Sequence, residues 1–135
     1  MTAKEYLQQA YTLERQIKLD RLKLESMRIS ACGSSVNYEY TGGQNRQKNG
    51  FQIALDNIIA YETYINGRIQ DLIKKRQEIE KTINDVQDFT QREILTRRYL
   101  LYQKWELIAV EMNYNIKHIY KLHKQALKNV RLNAT

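Results

Sequence analysis

The side chains best suited to chemistry crowd into the last quarter of the chain. Lys117, Lys121, Lys124, Lys128 and Arg131 follow the polar triplet Asn113-Tyr114-Asn115, and no acidic residue occurs beyond Glu111. Cations recurring at helical spacing can hold phosphate oxygens, and those near the start of a helix can also reach guanine edges. Ile116 and Tyr120, set among them, offer apolar surface to thymine methyls or sugars, and His118 falls beside the phosphate backbone. Asn115 completes the set at the helix start. The expected interface for double-stranded DNA is therefore Asn115, Ile116, Lys117, His118, Tyr120, Lys121 and Lys124, with Lys128 and Arg131 extending the stripe to phosphates only.

Other reactive groups lead nowhere catalytic. Asp20 and Glu62 could form a carboxylate pair of the acid–base kind, but neither has a nucleophile, a metal-ligand set or a phosphate loop nearby in sequence. They read as a structural polar layer. His118 and His123 stand five apart, so on a helix they diverge and cannot share a metal; His123 is expected to be a partly buried spacer. Cys32, the single cysteine, excludes an internal disulfide and suits a reducing cytoplasm. The expectation is no enzyme, no cofactor and no metal.

These groups have to be positioned by helices. The chain contains no proline, and four of its five glycines lie between Gly33 and Gly50, a pattern of long helices joined by one major loop. Thr2-Ala3-Lys4-Glu5 is a capping-box sequence. A heptad seam runs on from it through Tyr6, Ala10, Leu13, Ile17, Asp20, Leu24, Met27 and Ala31. Residues 31–50 read as a flexible loop. A second seam runs through Phe51, Leu55, Ile58, Glu62, Ile65, Ile69, Leu72, Arg76, Ile79, Ile83 and Val86. Laid antiparallel, the seams place Asp20 opposite Glu62 and Tyr6 opposite Arg76, an arrangement that spares either carboxylate an apolar partner. Ile83 and Val86 overhang and should pack on the C-terminal segment.

Thr90-Gln91-Arg92-Glu93 reads as a second capping box, opening a helix through Leu100. Trp105 begins the next, with Ile108 and Met112 on its inner face and Ala109 as the small crossing residue. Asn113 stands where a left-handed turn is needed, Tyr114 plugs the turn, Asn115 can cap the last helix, and Ile119 and Leu122 face inward. This is the spacing of a helix-turn-helix. The fold class expected is all-α: an antiparallel helical hairpin (coiled coil) over 1–87, then a three-helix DNA-binding unit over 88–135. The charge supports that division. The net charge is +7, with residues 88–135 carrying nine Lys/Arg against four Asp/Glu, and a basic surface attracts polyanions.

Arg92–Arg131 also resembles region 4 of sigma-70-type transcription factors, through Arg98-Tyr99, Ile108-Ala109 and Ala126-Leu127. Asn113 departs from that pattern where glycine is usual, and Ile116 where polar or basic residues are frequent; nothing resembles the promoter-melting region. The whole chain is similar to small phage and prophage proteins of Gram-positive bacteria that carry this unit at the C-terminus. The resemblance implies a late-gene transcriptional regulator that binds promoter DNA, contacts bacterial RNA polymerase, and works in the host cytoplasm on the nucleoid. A homodimer is expected because one such unit covers only a half-site. No apolar run approaches the ~20 residues of a membrane span, and the N-terminus lacks a signal-peptide pattern. Two alternatives stand beside the regulator: a DNA-packaging recognition subunit of the small-terminase kind, and a protein-binding adaptor or inhibitor acting through the hairpin.

Overall fold

The computed structural model describes residues 1–34 and 49–132. All regular structure among them is helical: α1 (Ala3–Ser34), α2 (Gly50–Asn84), α3 (Phe89–Leu95), a π-helical turn at Thr96–Leu100, α4 (Trp105–Met112) and α5 (Ile116–Asn129). None of the described helices is long and apolar enough to cross a membrane. The helices divide between two compact units, one of Met1–Glu14 with Leu72–Thr135 and one of Arg15–Asp71.

Local sequence sets the helix starts. Thr2 Oγ1 accepts from the Glu5 amide and a Glu5 carboxylate oxygen accepts from the Thr2 amide, each at 3.1 Å, which is the expected capping box and satisfies two orphan donors at once. At α2, Asn49 Oδ1 accepts from the Gln52 amide at 2.7 Å. The flexible loop expected at 31–50 lies, over 35–48, outside the described residues. Its ends differ from expectation, since α1 continues through Cys32 to Ser34. The reason is packing: Ala31 is buried in a cluster with Leu24, Ile58 and Ile65, which holds the helix one turn longer.

Within Arg15–Asp71, α1 and α2 lie side by side with contacts running in opposite chain directions, Asp20 meeting Tyr61 and Arg68 while Arg28 meets Glu62. The Asp20–Glu62 layer is therefore corrected. Asp20 is 1% exposed, and its Oδ1 accepts from Tyr61 Oη at 3.2 Å and Gln16 Nε2 at 3.1 Å. Arg68 Nε lies 3.6 Å from the other oxygen. Glu62 instead turns outward to Arg28 at 3.1 Å. A buried carboxylate needs donors, and an ionised partner carboxylate has none to offer; Tyr61 and Gln16 supply them, and Arg68 supplies the opposite charge.

The other unit gathers Leu7, Ala10, Ile79, Ile83, Val86, Leu95, Tyr99 and Ala126 into one core. The overhanging Ile83 and Val86 are thus covered by the C-terminal helices, each at most 2% exposed. A second cluster, Ile94, Ile108, Ala109 and Ile119, binds α3, α4 and α5 together. Two details depart from the sequence reading. The cap of α3 is Asp88, whose extended backbone and side chain serve the Gln91 amide at 3.1 Å, so Thr90 lies inside the helix; a carboxylate there also suits the positive helix end. Arg76 donates to the Tyr102 hydroxyl at 2.8 Å, leaving Tyr6 beneath Lys75 at 5.9 Å. Tyr102 comes within reach because it takes a left-handed conformation, φ 57°, in the link before α4.

Candidate nucleic-acid interface

The basic helix is placed by a short turn. α4 stops at Asn113, which adopts φ 59° and ψ 38°, the left-handed region that asparagine tolerates better than other side-chain-bearing residues. Its amide and that of Tyr114 turn back to the Val110 and Ala109 carbonyls at 3.2 and 3.0 Å. Asn115 is extended, and its side chain accepts from the His118 amide at 2.8 Å, so α5 starts at Ile116 as expected.

The face α5 buries carries Ile119, His123 and Ala126. Lys117, Lys121, Lys124 and Lys128 are all exposed. Spaced by four, three and four residues, they fall within about 60° of one another on a helix of 3.6 residues per turn, opposite the buried face. The stripe is about 16 Å long at 1.5 Å per residue. No acidic residue occupies the first turn of α5, and three carboxylates of the neighbouring helices have partners of their own. Arg97 bonds Glu93 at 2.9 Å and also meets Glu111, while Asp88 serves as a cap. The pairing with Glu93, then the nearby Glu111 charge, holds the Arg97 guanidinium above its ordinary value against the cost of burial.

The remaining expected residues are placed less uniformly. Tyr120 is exposed beside the stripe, its ring edge-on to Trp105 at 5.6 Å. His118 is exposed, with Tyr114 edge-on at 4.9 Å; Tyr114 itself is 40% exposed and so does not plug the turn. Ile116 is half-buried against Ile94, Ile108 and Ile119, because a branched side chain in the first turn finds apolar neighbours on α3 and α4. It belongs mainly to the core. Arg131 lies beyond α5, which ends when Val130 turns extended and buries its side chain; the helical stripe therefore stops at Lys128. Lys128 and Arg131 line an open cleft of about 620 Å³ with Asp85 and Asp88, and these carboxylates temper the local positive field.

A polar and aromatic cluster behind α5 goes beyond the sequence reading. His123 is buried, its Nε2 2.7 Å from the Tyr99 hydroxyl and its ring 4.5 Å from Trp105. Arg98 lies over the Trp105 ring at 4.5 Å and donates to the Gln103 carbonyl at 3.0 Å. Burial, with Lys4 and Arg98 nearby, lowers His123 to about 4, and burial raises Tyr99 to about 12. Both are neutral near pH 7, and together they fix the roll of α5. The signal was present in the spacing, since His123 stands four residues after Ile119 and three before Ala126, on the inner face. On the far side, the Asn129 side chain donates to Gln91 Oε1 at 2.8 Å. Among the described residues, no group of three or more His, Cys, Asp or Glu is placed to hold a metal ion.

No curated protein and no solved structure matches the chain. A family match covers residues 29–131, all of α2, α3, α4 and α5 included, and on that match the chain belongs to DUF1492, a family described as "protein of unknown function".

Proposed function

We propose that this chain is a DNA-binding transcriptional regulator of the phage type, with α4, the Asn113 turn and α5 acting as a sigma region 4-like helix-turn-helix behind a helical hairpin. The observation that carries the reading is the exposed lysine stripe of α5, opposite a locked apolar face and preceded by a tight left-handed turn. A helix so presented can enter a major groove, with Lys117 and Lys121 at base edges and Lys124 and Lys128 at phosphates. Tyr120 and His118 flank it, and Asn115 directs the free amides of the first turn toward the backbone. Ile116 contributes chiefly by fixing the helix, and Arg131 contacts phosphate from the chain beyond it. The chain performs no catalysis in this reading. It acts in the cytoplasm of a bacterial host as a homodimer on promoter DNA, where RNA polymerase is a second contact.

The test is selection of duplexes from a random or phage-genome library by the purified protein, followed by fluorescence anisotropy on the selected duplex over a salt series. A preferred site whose affinity falls steeply with salt is expected. A protein that ignores duplex DNA even at low salt overturns the reading and favours the adaptor alternative. Rings of eight or more chains on DNA favour the packaging alternative.

A further inference from the structure

One cavity of the unit formed by Met1–Glu14 and Leu72–Thr135 shares no residue with the lysine stripe. It measures about 220 Å³ and is lined by Gln8, Tyr11, Arg98, Tyr99, Tyr102 and Lys104. The lining carries two cations and no carboxylate. Arg98 is half-buried, and its bond to the Gln103 carbonyl at 3.0 Å leaves its charge unanswered. Among the described residues no carboxylate pairs with Arg98 or Lys104. A guanidinium drawn out of water calls for an anion, and its planar fork matches a carboxylate. Tyr102 supplies an independent sign. It holds φ 57°, a left-handed conformation that costs a ring-bearing residue energy and that gathers at ligand sites. Its hydroxyl accepts from Arg76 at 2.8 Å, and Glu14 stands beside that hydroxyl, outside the lining. With the hydroxyl engaged, Tyr102 gives the cavity its ring, set 5.4 Å from that of Tyr11. Tyr99 is likewise held in place, by its 2.7 Å bond to His123.

Size and lining together select the ligand. The cavity is smaller than the roughly 300–1,000 Å³ that encloses a drug-sized molecule, so it suits a single ring rather than a nucleotide. Preset aromatic walls favour a planar ring, and two uncompensated cations favour an anionic group on it. We propose that this cavity is a binding site for a small aromatic carboxylate, its charge held by Arg98 and Lys104 and its ring set against Tyr11 and Tyr102. Gln8 offers a donor or an acceptor to a substituent on that ring. Occupancy reaches α5 through contacts already in place. Arg98 lies over the Trp105 ring at 4.5 Å, and Trp105 meets Tyr120 edge-on at 5.6 Å. An anion that draws the guanidinium alters the support of α5, and any effect on a partner of α5 is reciprocal. The site itself stands without the DNA-binding reading.

Isothermal titration calorimetry of the full chain with benzoate, benzyl alcohol and inorganic phosphate tests it. Benzoate should bind with a dissociation constant of about 1 mM or below. Benzyl alcohol, which lacks the charge, and phosphate, which lacks the ring, should each bind at least about 10-fold more weakly. Trp105 is the single tryptophan, and its emission should change as benzoate binds, because Arg98 lies on its ring. Lys104→Glu should raise the benzoate dissociation constant about 10-fold or more with unchanged circular dichroism, since Lys104 is exposed and its side chain caps nothing. Lys104→Arg should bind as the wild type does. Benzoate that gives no heat at about 10 mM overturns the inference. So does benzyl alcohol or phosphate binding as tightly as benzoate, or a Lys104→Glu protein of unchanged affinity. Heat without a change in Trp105 emission puts the ligand elsewhere and overturns it too.

Discussion

Acidification should unlock α5 through His123. Its pKa falls from 6.5 in the open chain to about 4 in the fold. The folded form therefore keeps the ring neutral while the unfolded chain takes up a proton below about pH 6.5. Stability is full above that value, declines as the pH falls through the interval, and its contribution is exhausted near pH 4. At 1.36 kcal/mol per unit, the whole interval amounts to about 3 kcal/mol. The part lost between pH 7.5 and 5.0 is about 2 kcal/mol. Every other titratable group is common to the wild type and a His123 variant, so a comparison of the two isolates His123. Urea denaturation of the wild type and of His123→Phe, followed by circular dichroism at half-unit steps from pH 7.5 to 5.0, reads the difference. The variant leaves the Tyr99 hydroxyl without its partner and starts out less stable, but that offset does not vary with pH. The wild type should lose about 2 kcal/mol more than the variant across the range. Parallel curves would refute the burial argument, because they would mean that His123 takes its proton as readily in the fold as out of it.

The other expectations concern the turn, the buried carboxylate and the lysine stripe. Asn113→Gly should be neutral or slightly stabilising and Asn113→Val should cost about 1–2 kcal/mol, since only the former accepts φ 59° without strain; thermal melts decide, and equal melting temperatures would count against the turn. Asp20→Leu together with Arg68→Met should preserve helix content and leave stability unchanged or raised by about 1 kcal/mol or more, because the buried pair is replaced by apolar packing; a collapse of the melting transition would show that the ion pair is required for folding. Lys117→Ala or Lys121→Ala should cost on the order of 1–3 kcal/mol at a selected DNA site and relax its sequence preference. Lys128→Ala should weaken all duplexes alike and lower the salt slope by about one; identical behaviour of the three variants would remove the base-edge role.

Where chemistry is local, it was legible in the chain itself. The Thr2–Glu5 box, the Asn113 turn and the Asn115 cap each depend on a side chain and backbone groups within a few residues. The heptad spacing likewise picked out Ala10, Ile17, Leu24, Ile58, Ile65 and Ile79 for burial but passed over Leu7, which is fully buried, since a 3.6-residue period leaves a long amphipathic helix one broad face to hide. Lys117, Lys121, Lys124 and Lys128 were exposed for the same reason, lying opposite Ile119. Partner choice was another matter. Asp20 took Tyr61 and Arg68 rather than Glu62, and Arg76 took Tyr102 rather than Tyr6. Periodicity says which face turns inward but not which donor arrives there, and the donor's position depends on how two helices are staggered. His123 became a neutral, locked residue only because Tyr99, carried inward by a π-helical turn that has no sequence signature, brought its hydroxyl to 2.7 Å. Ile116 joined the core and Arg131 left the helix because α3 and α4 offered apolar neighbours at one end, and Val130 found a buried site at the other. Helix, cap and face come from interactions between near neighbours in sequence; pairing, tautomer and pKa depend on groups that only the folded chain brings together.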